Sequence, residues 1–319
     1  MFRTFSQTEL TGNTRYEIIL FWNAIVNSQV PPRVLPILKW PGGKRWLSPF
    51  IAPVLARELT GTYCEPFLGG GATYLELKPP AALLSDSNAE LIAFYRECID
   101  TPEQVVAAVQ RNSNEEDCYY RIRRSKPRTA VGKAAKFLFL NRTCWGGIYR
   151  LNQRGEFNVP FGDSGRQICC KSDVLAASSL FAAAELECCD FAKSIDRMQN
   201  GDVVFADPPY TSRGQFNGFV RYNERLFSWD DQQRLSDVSK SARKRGVFVA
   251  VCGSFHRDVL SLYENWWVLK TERHSNVARS TKSRKSVCEC IVFSRKPVEP
   301  VAGLDRITGD FIASVPHHD

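Results

Sequence analysis

An apolar run that ends in glycines and gives way to a helical pattern leaves a chain few ways to fold. TYCEPFLGGGATYLEL (residues 62–77) has this form, reading as strand, glycine turn and helix. AALLSDSNAELIAFYREC (81–98) repeats it, with Ser85 or Asp86 ending a strand and Asn88 placed to cap the next helix. After residue 190 the scheme resumes. DVVFADPPY (202–210) reads as a strand, WDDQQRLSDVSKSARKRG (229–246) as a helix, and VFVAVCGS (247–254) and KSVCECIVFSR (285–295) as strands. Strands alternating with helices imply an α/β fold with a mostly parallel, doubly wound sheet. A strand-like LPILKW (35–40), a turn at 41–44 and a helix over 46–60 come before it.

Between about residues 100 and 189 the pattern changes. Two helical stretches flank a polar segment punctuated by glycine, NRTCWGGIYRLNQRGEFNVPFG (141–162). The simplest account is one α/β domain, residues 34–99 and 190–296, interrupted by an insertion at 100–189. Residues 1–33 form an N-terminal extension. Its apolar stretch IILFWNAIV (18–26) is too short to span a bilayer and reads as part of an amphipathic helix, so no membrane partner is expected. Residues 297–319 read as a loose tail.

Composition narrows the function classes. Hydrophobic residues make up 44% of 319, enough for a packed core. A formal charge of +8 fits a polyanionic partner without requiring one. No secretory signal precedes the eleven cysteines, which points to a reduced, intracellular setting with buried free thiols. Cys288-Glu289-Cys290 lacks a second pair at ligand spacing, so no metal site is expected.

Three motifs carry chemistry. In EPFLGGGA, Gly69, Gly70 and Gly71 let the backbone turn sharply and let a ligand approach it. Asp86, nineteen residues after Phe67, stands where an acid suits a ribose diol. A nucleoside-containing cofactor and a plain tight turn both fit these residues. The dinucleotide spacing is not met, because Tyr74 occupies the place of its third glycine. WPGGKRW (40–46) is not a Walker loop, since Leu38 and Arg45 stand where that pattern needs glycine and a hydroxyl. Lys44 could still bond a carboxylate, and Trp40 could cover an apolar face.

The third motif is Asp207-Pro208-Pro209-Tyr210, directly behind an apolar strand. Its carboxylate and a neighbouring backbone carbonyl can accept both N–H bonds of an amino group. The prolines fix that carbonyl and remove local donors. Tyr210 offers a face on which a planar base stacks, worth about 1–3 kcal/mol. Together they describe a clamp for an aromatic amine, one that stabilises a nitrogen turning tetrahedral and cationic.

KWPGGK, EPFLGGGA, SDSNAEL, the segment 141–162 and ADPPY, in this order over residues 34 to 296, resemble the Dam-like adenine-specific DNA methyltransferases. The resemblance implies a Rossmann-like methyltransferase sheet with an inserted, mainly helical target-recognition domain that carries a β-hairpin. It implies S-adenosyl-L-methionine as cofactor and methyl transfer to N6 of a flipped adenine in double-stranded DNA. Trp40, Lys44, Pro66, Phe67, Gly69, Gly71 and Asp86 then fall at cofactor positions, and Asp207, Pro208, Pro209 and Tyr210 at the catalytic motif. Trp145 falls where the family's aromatic wedge fills the gap left by the extruded base. Lys39, Ile148 and Arg150 fall at base-contacting positions. Arg142, Arg154 and Pro160 complete the expected DNA-facing hairpin, in which arginines interleave with Trp145 and Tyr149. The basic run RHSNVARSTKSRK (273–285) reads either as a phosphate contact or as a loop near the site. Gly146 and Asp163 depart from the pattern of GATC methylators, so the target sequence stays open. The rival readings are a cytosine N4 or RNA amine methyltransferase and an inactive DNA-binding relative. A cytoplasmic, nucleoid-associated protein, monomeric or weakly dimeric, is expected.

Overall fold

The computed structural model describes residues 33–162, 168–210, 227–274 and 286–315, without side-chain detail at 272–274 and 286–287. The extension with its apolar stretch, Asp163 and residues 275–285 of the basic run lie outside the described residues.

Eight strands form one mixed sheet: β1 (Tyr63–Glu65), β2 (Ala82–Asp86), β3 (Glu185–Cys188), β4 (Val203–Ala206), β5 (Phe248–Ser254), β6 (Trp267–His274), β7 (Ser286–Phe293) and β8 (Leu304–Arg306). Their spatial order is β3-β2-β1-β4-β5-β7-β6-β8. The first five run parallel, whereas β7 pairs antiparallel with both β5 and β6. Among the parallel strands, chain order runs outward in both directions from the β1–β4 junction. This makes it the switch point, where the carboxyl ends of the strands leave a crevice for a ligand.

Period-two alternation explains the layering. Tyr63, Leu84, Phe205, Phe248, Ala250 and Cys252 point into one core. Cys64, Leu83, Val204, Ala206, Val249 and Val251 point into the other. Both faces are apolar because helices cover both. The helices are α1 (Ser48–Glu58), α2 (Ala72–Leu77), α3 (Ala89–Asp100), α4 (Pro102–Gln110), α5 (Glu116–Arg124), α6 (Ala130–Thr143), α7 (Lys171–Phe181), α8 (Phe191–Asp196), α9 (Trp229–Lys244), α10 (Arg257–Ser261) and α11 (Gly309–Ser314). Among the described residues, no helix is long and apolar enough to cross a membrane.

One helix start is capped by the expected residue, and another by a pair that the sequence reading did not single out. Asn88 accepts from the amides of Glu90 and Leu91 at the start of α3, and Ser228 and Asp231 close a capping box on α9.

Five expectations need correction. LPILKW forms no strand. Ile37 and Leu38 sink into the core, but the backbone of Lys39 bonds the side chain of Asn141 instead of a neighbouring strand. Glu185–Cys188, assigned to the insertion, is strand β3 and pairs with β2. The supposed loose tail supplies β8, which pairs with β6, and α11, which follows it. Residues 273–274 of the basic run continue β6. The helices of the 100–189 region are also not walled off, since Val105, Val109 and Leu138 belong to the core that β1 and β4 share. That region keeps one smaller cluster of its own, around Tyr119, Phe139, Leu140 and Val159.

Candidate active site at the switch point

Asp207-Pro208-Pro209-Tyr210 follows β4 at its carboxyl end, beside the switch point. Asp207 does not stand alone there. The Nζ of Lys44, a side chain only 4% exposed, donates to Asp207 Oδ1 at 2.7 Å and to the carbonyl of Gly42 at 2.8 Å. The same ammonium stands 4.7 Å from the centroid of the Tyr210 ring. It also lies 3.9 Å from Oε2 of Glu289 on β7, and the Tyr210 hydroxyl donates to that oxygen at 3.3 Å. Two carboxylates, one ammonium and one aromatic face therefore converge on one buried point.

Burial raises the Asp207 carboxyl above its usual range, against the pull of Lys44. For Lys44, burial alone would lower the pKa. The carboxylate of Asp207, the neighbouring Cys252 thiol and Glu289 together carry it above the ordinary lysine value instead. Glu65, at the end of β1, is also buried. Desolvation pushes it up to about 8, although Tyr63 donates to it at 2.9 Å. Near neutral pH it is therefore a protonated acid beneath the site.

The glycine turn lies across the switch point. Gly69 adopts φ +46°, and a Cβ there would stand 2.7 Å from Cδ1 of Trp40. Both the left-handed backbone and the overlying indole thus require glycine. Asp86 Oδ2 accepts from Gly69 N at 3.1 Å and Oδ1 from Asn88 N at 2.9 Å. Burial raises its pKa in spite of these two bonds. Pro66 is buried, and Phe67 stacks on Phe191 at 5.3 Å. Lys44, expected at a cofactor position and able to bond a carboxylate, bonds that of Asp207.

Segment 141–162 folds back on itself. Trp145 N donates to Pro160 O at 3.0 Å, Gly162 N to Thr143 O at 2.9 Å, and Asn152 N to Glu156 O at 2.8 Å. Isolated bridges join Cys144 to Phe161 and Leu151 to Phe157. Trp145 is 43% exposed, a large aromatic left in solvent. Gly146 beside it has φ +65°. Glycine adopts this left-handed backbone without the cost that a Cβ would bring. Arg154 is exposed at the turn, while Arg150 Nε is held by Asn158 Oδ1 at 2.8 Å. Ile148 is half-buried against the small cluster.

Two expected DNA-facing residues turn inward. Arg142 donates from Nε to Ile168 O at 2.9 Å and from Nη1 to Ile37 O at 3.5 Å, tying two loops to α6. Tyr149 stacks on Trp40 at 5.9 Å and its hydroxyl bonds Glu90. Lys39 Nζ bonds Arg142 O at 3.3 Å.

Sequence reading missed Asn141, whose amide brackets both the N–H and C=O of Lys39 and reaches Gly147 O. It also missed Glu65 and Glu289. The available signal for Glu289 was an acid inside an otherwise apolar strand, CECIVF.

The parallel part of the sheet carries a glycine turn on one side of its switch point and Asp207-Pro208-Pro209-Tyr210 on the other, an arrangement that suits transfer to an amino group. The family model of the D12 class N6 adenine-specific DNA methyltransferases matches residues 40–281. A type II methyltransferase of Lactococcus lactis subsp. cremoris, M1.LlaDCHI, is 34% identical over 270 residues, which is 81% of this chain and 94% of that protein. The DNA adenine methylase of Escherichia coli K12 is 30% identical, covering 82% of this chain and 95% of its own length. The type II methyltransferase M.MjaIII of Methanocaldococcus jannaschii is 28% identical over 286 residues, covering 82% and 99%. The chain belongs to the D12 class of N6 adenine-specific DNA methyltransferases.

Proposed function

We propose that this chain transfers a methyl group from S-adenosyl-L-methionine to N6 of an adenine turned out of duplex DNA, at the clamp formed by Asp207 to Tyr210. When bound, the cofactor supplies an electrophilic methyl on a sulfonium sulfur. The residues present fit it. Asp86 offers acceptor oxygens at the carboxyl end of β2, next to the bare backbone of Gly69, and Trp40 and Phe67 supply apolar surface beside them.

Asp207 accepts one N–H of the target amine, and a carbonyl of the proline pair accepts the other. This directs the nitrogen lone pair at the methyl carbon. The cofactor, when bound, would supply the methyl and keep the electron pair of its C–S bond. N6 then releases one proton, for which Asp207 is the nearest acceptor. Tyr210 stacks on the base and Trp145 fills the space the base leaves in the duplex, offsetting part of an unstacking cost of a few kcal/mol. The turn carrying Arg154, with Arg150, Lys39 and the Pro160 strand of the hairpin, meets the DNA. Arg142 serves to position this surface.

One observation supports the reading above the others. A tetrahedral, cationic nitrogen, the ammonium of Lys44, already sits 2.7 Å from Asp207 Oδ1 and 4.7 Å from the Tyr210 ring centroid. The reaction creates a nitrogen of that same shape and charge. Sequencing of DNA from an otherwise unmethylated host that expresses the protein is the test. N6-methyladenine at one short motif is the expected result. Modified cytosine, or no modification with DNA binding retained, would select one of the rival readings.

A further inference from the structure

A buried acid in the middle of an apolar strand is costly unless something requires it. Glu289 is 3% exposed, and its neighbour Cys290 points into the opposite core. Its Oε2 faces the Asp207 clamp, accepting from Tyr210 and standing 3.9 Å from the Lys44 ammonium. That ammonium is closer to Asp207, at 2.7 Å, and lies 4.7 Å from the Tyr210 ring centroid. The acceptor and the aromatic neighbourhood that a base amine needs are thus both engaged by a lysine side chain.

An aromatic amine is neutral and a weaker donor than an ammonium, so it cannot displace Lys44 unless the charge has somewhere to go. A buried ammonium left without a partner is strongly unfavourable. Glu289 is the acceptor already within reach. We infer that Glu289 is a positioning residue: it receives the Lys44 ammonium when the target amine takes Asp207, and it holds Tyr210 while the exchange occurs. The inference rests on the clamp reading above.

In this exchange Lys44 stays charged throughout and moves only from Asp207 toward Glu289, the two acids it already faces.

A double-mutant cycle tests the exchange, because a shared event makes two substitutions non-additive. Rates of all four variants are compared across the same pH series, each at the plateau of its own profile. Glu289→Gln keeps the shape and the acceptor for Tyr210 but removes the charge that draws Lys44 away. It is expected to lower kcat about tenfold or more and to weaken the 2-aminopurine signal at the target base, with cofactor affinity changed less than about twofold. In a Lys44→Met background the same change is expected to cost less than about twofold, because no ammonium then needs a second partner. An equal loss in both backgrounds would assign Glu289 to packing alone and overturn the inference.

The unaltered protein supplies a second test should the glutamine variant not fold. In a crystal with target duplex and the unreactive analogue sinefungin, Lys44 Nζ should lie closer to Glu289 than to Asp207. The base amine bonded to Asp207 with Lys44 still on that same oxygen would overturn the inference and leave the clamp standing. A base amine placed away from Asp207 would overturn both.

Discussion

Lys44, Asp207 and Glu289 meet from three distant parts of the chain, whereas the hairpin at 144–162 is held largely by bonds between near neighbours. The first region is buried, charged and fixed by the sheet. The second has few ladder bonds and leaves Trp145 in solvent. The contrast teaches a division of labour. On the proposed reading, chemistry is placed where the fold over-determines every group, and recognition where a local segment can change residues without disturbing the core.

The largest expected effect breaks the buried side. Asp207→Ala should lower methyl transfer about a thousandfold or more. DNA affinity carried by the hairpin should stay within about twofold in a filter-binding assay. Loss of both together would mean that the two regions are not separable.

Next is Glu65. Its folded pKa, about 8, lies above the ordinary 4.5. The folded state therefore holds its proton where the unfolded chain has already released it. Stability should fall as pH rises from about 4.5 and level off beyond about 8, a loss of a few kcal/mol over that window. Glu65→Gln should flatten the slope, giving a melting temperature above wild type at pH 8 and little different at pH 4.5.

Lys44→Met is expected to act through pH as well. Asp207 is already raised by burial, and removing the ammonium raises it further. Activity that needs the carboxylate should then disappear at a higher pH as the solution is acidified. The acid limb of kcat/KM should move to higher pH, and the loss relative to wild type should shrink as pH rises.

The smallest of these effects probes the exposed side. Trp145→Ala should reduce 2-aminopurine fluorescence at the target and raise the KM for DNA about fivefold, with cofactor binding unchanged. An unaltered fluorescence signal would remove Trp145 from the wedge role.

Much of the buried region was legible in sequence because its constraints are local. Glycines between a strand and a helix, Asn88 as a cap and a proline pair behind VVFA each follow from backbone chemistry. Glu289 was not legible, because antiparallel β7 brings it to the site across more than eighty residues of chain from Asp207. Strand β3 was hidden by its sequence ELEC, which is short, polar and not fully buried. LPILKW misled in the opposite sense. Its apolar residues are core residues, but the Asn141 amide takes the backbone bonds that a strand would need. In the hairpin, alternating arginines and aromatics read as one DNA-facing surface. Arg142 and Tyr149 are instead consumed by the protein's own loops and helices. A sequence pattern shows which residues are basic or aromatic, but not which way each one turns.

The central claim is that the Asp207–Tyr210 clamp methylates the exocyclic amine of adenine. It is tested most directly by giving the protein unmethylated duplex DNA and cofactor carrying a tritiated methyl group, then digesting the DNA to deoxynucleosides. The account predicts label in N6-methyl-2′-deoxyadenosine with the wild-type chain and about a thousandth of it or less with Asp207→Ala. Label in N4-methyl-2′-deoxycytidine, or full incorporation by the alanine variant, would contradict it.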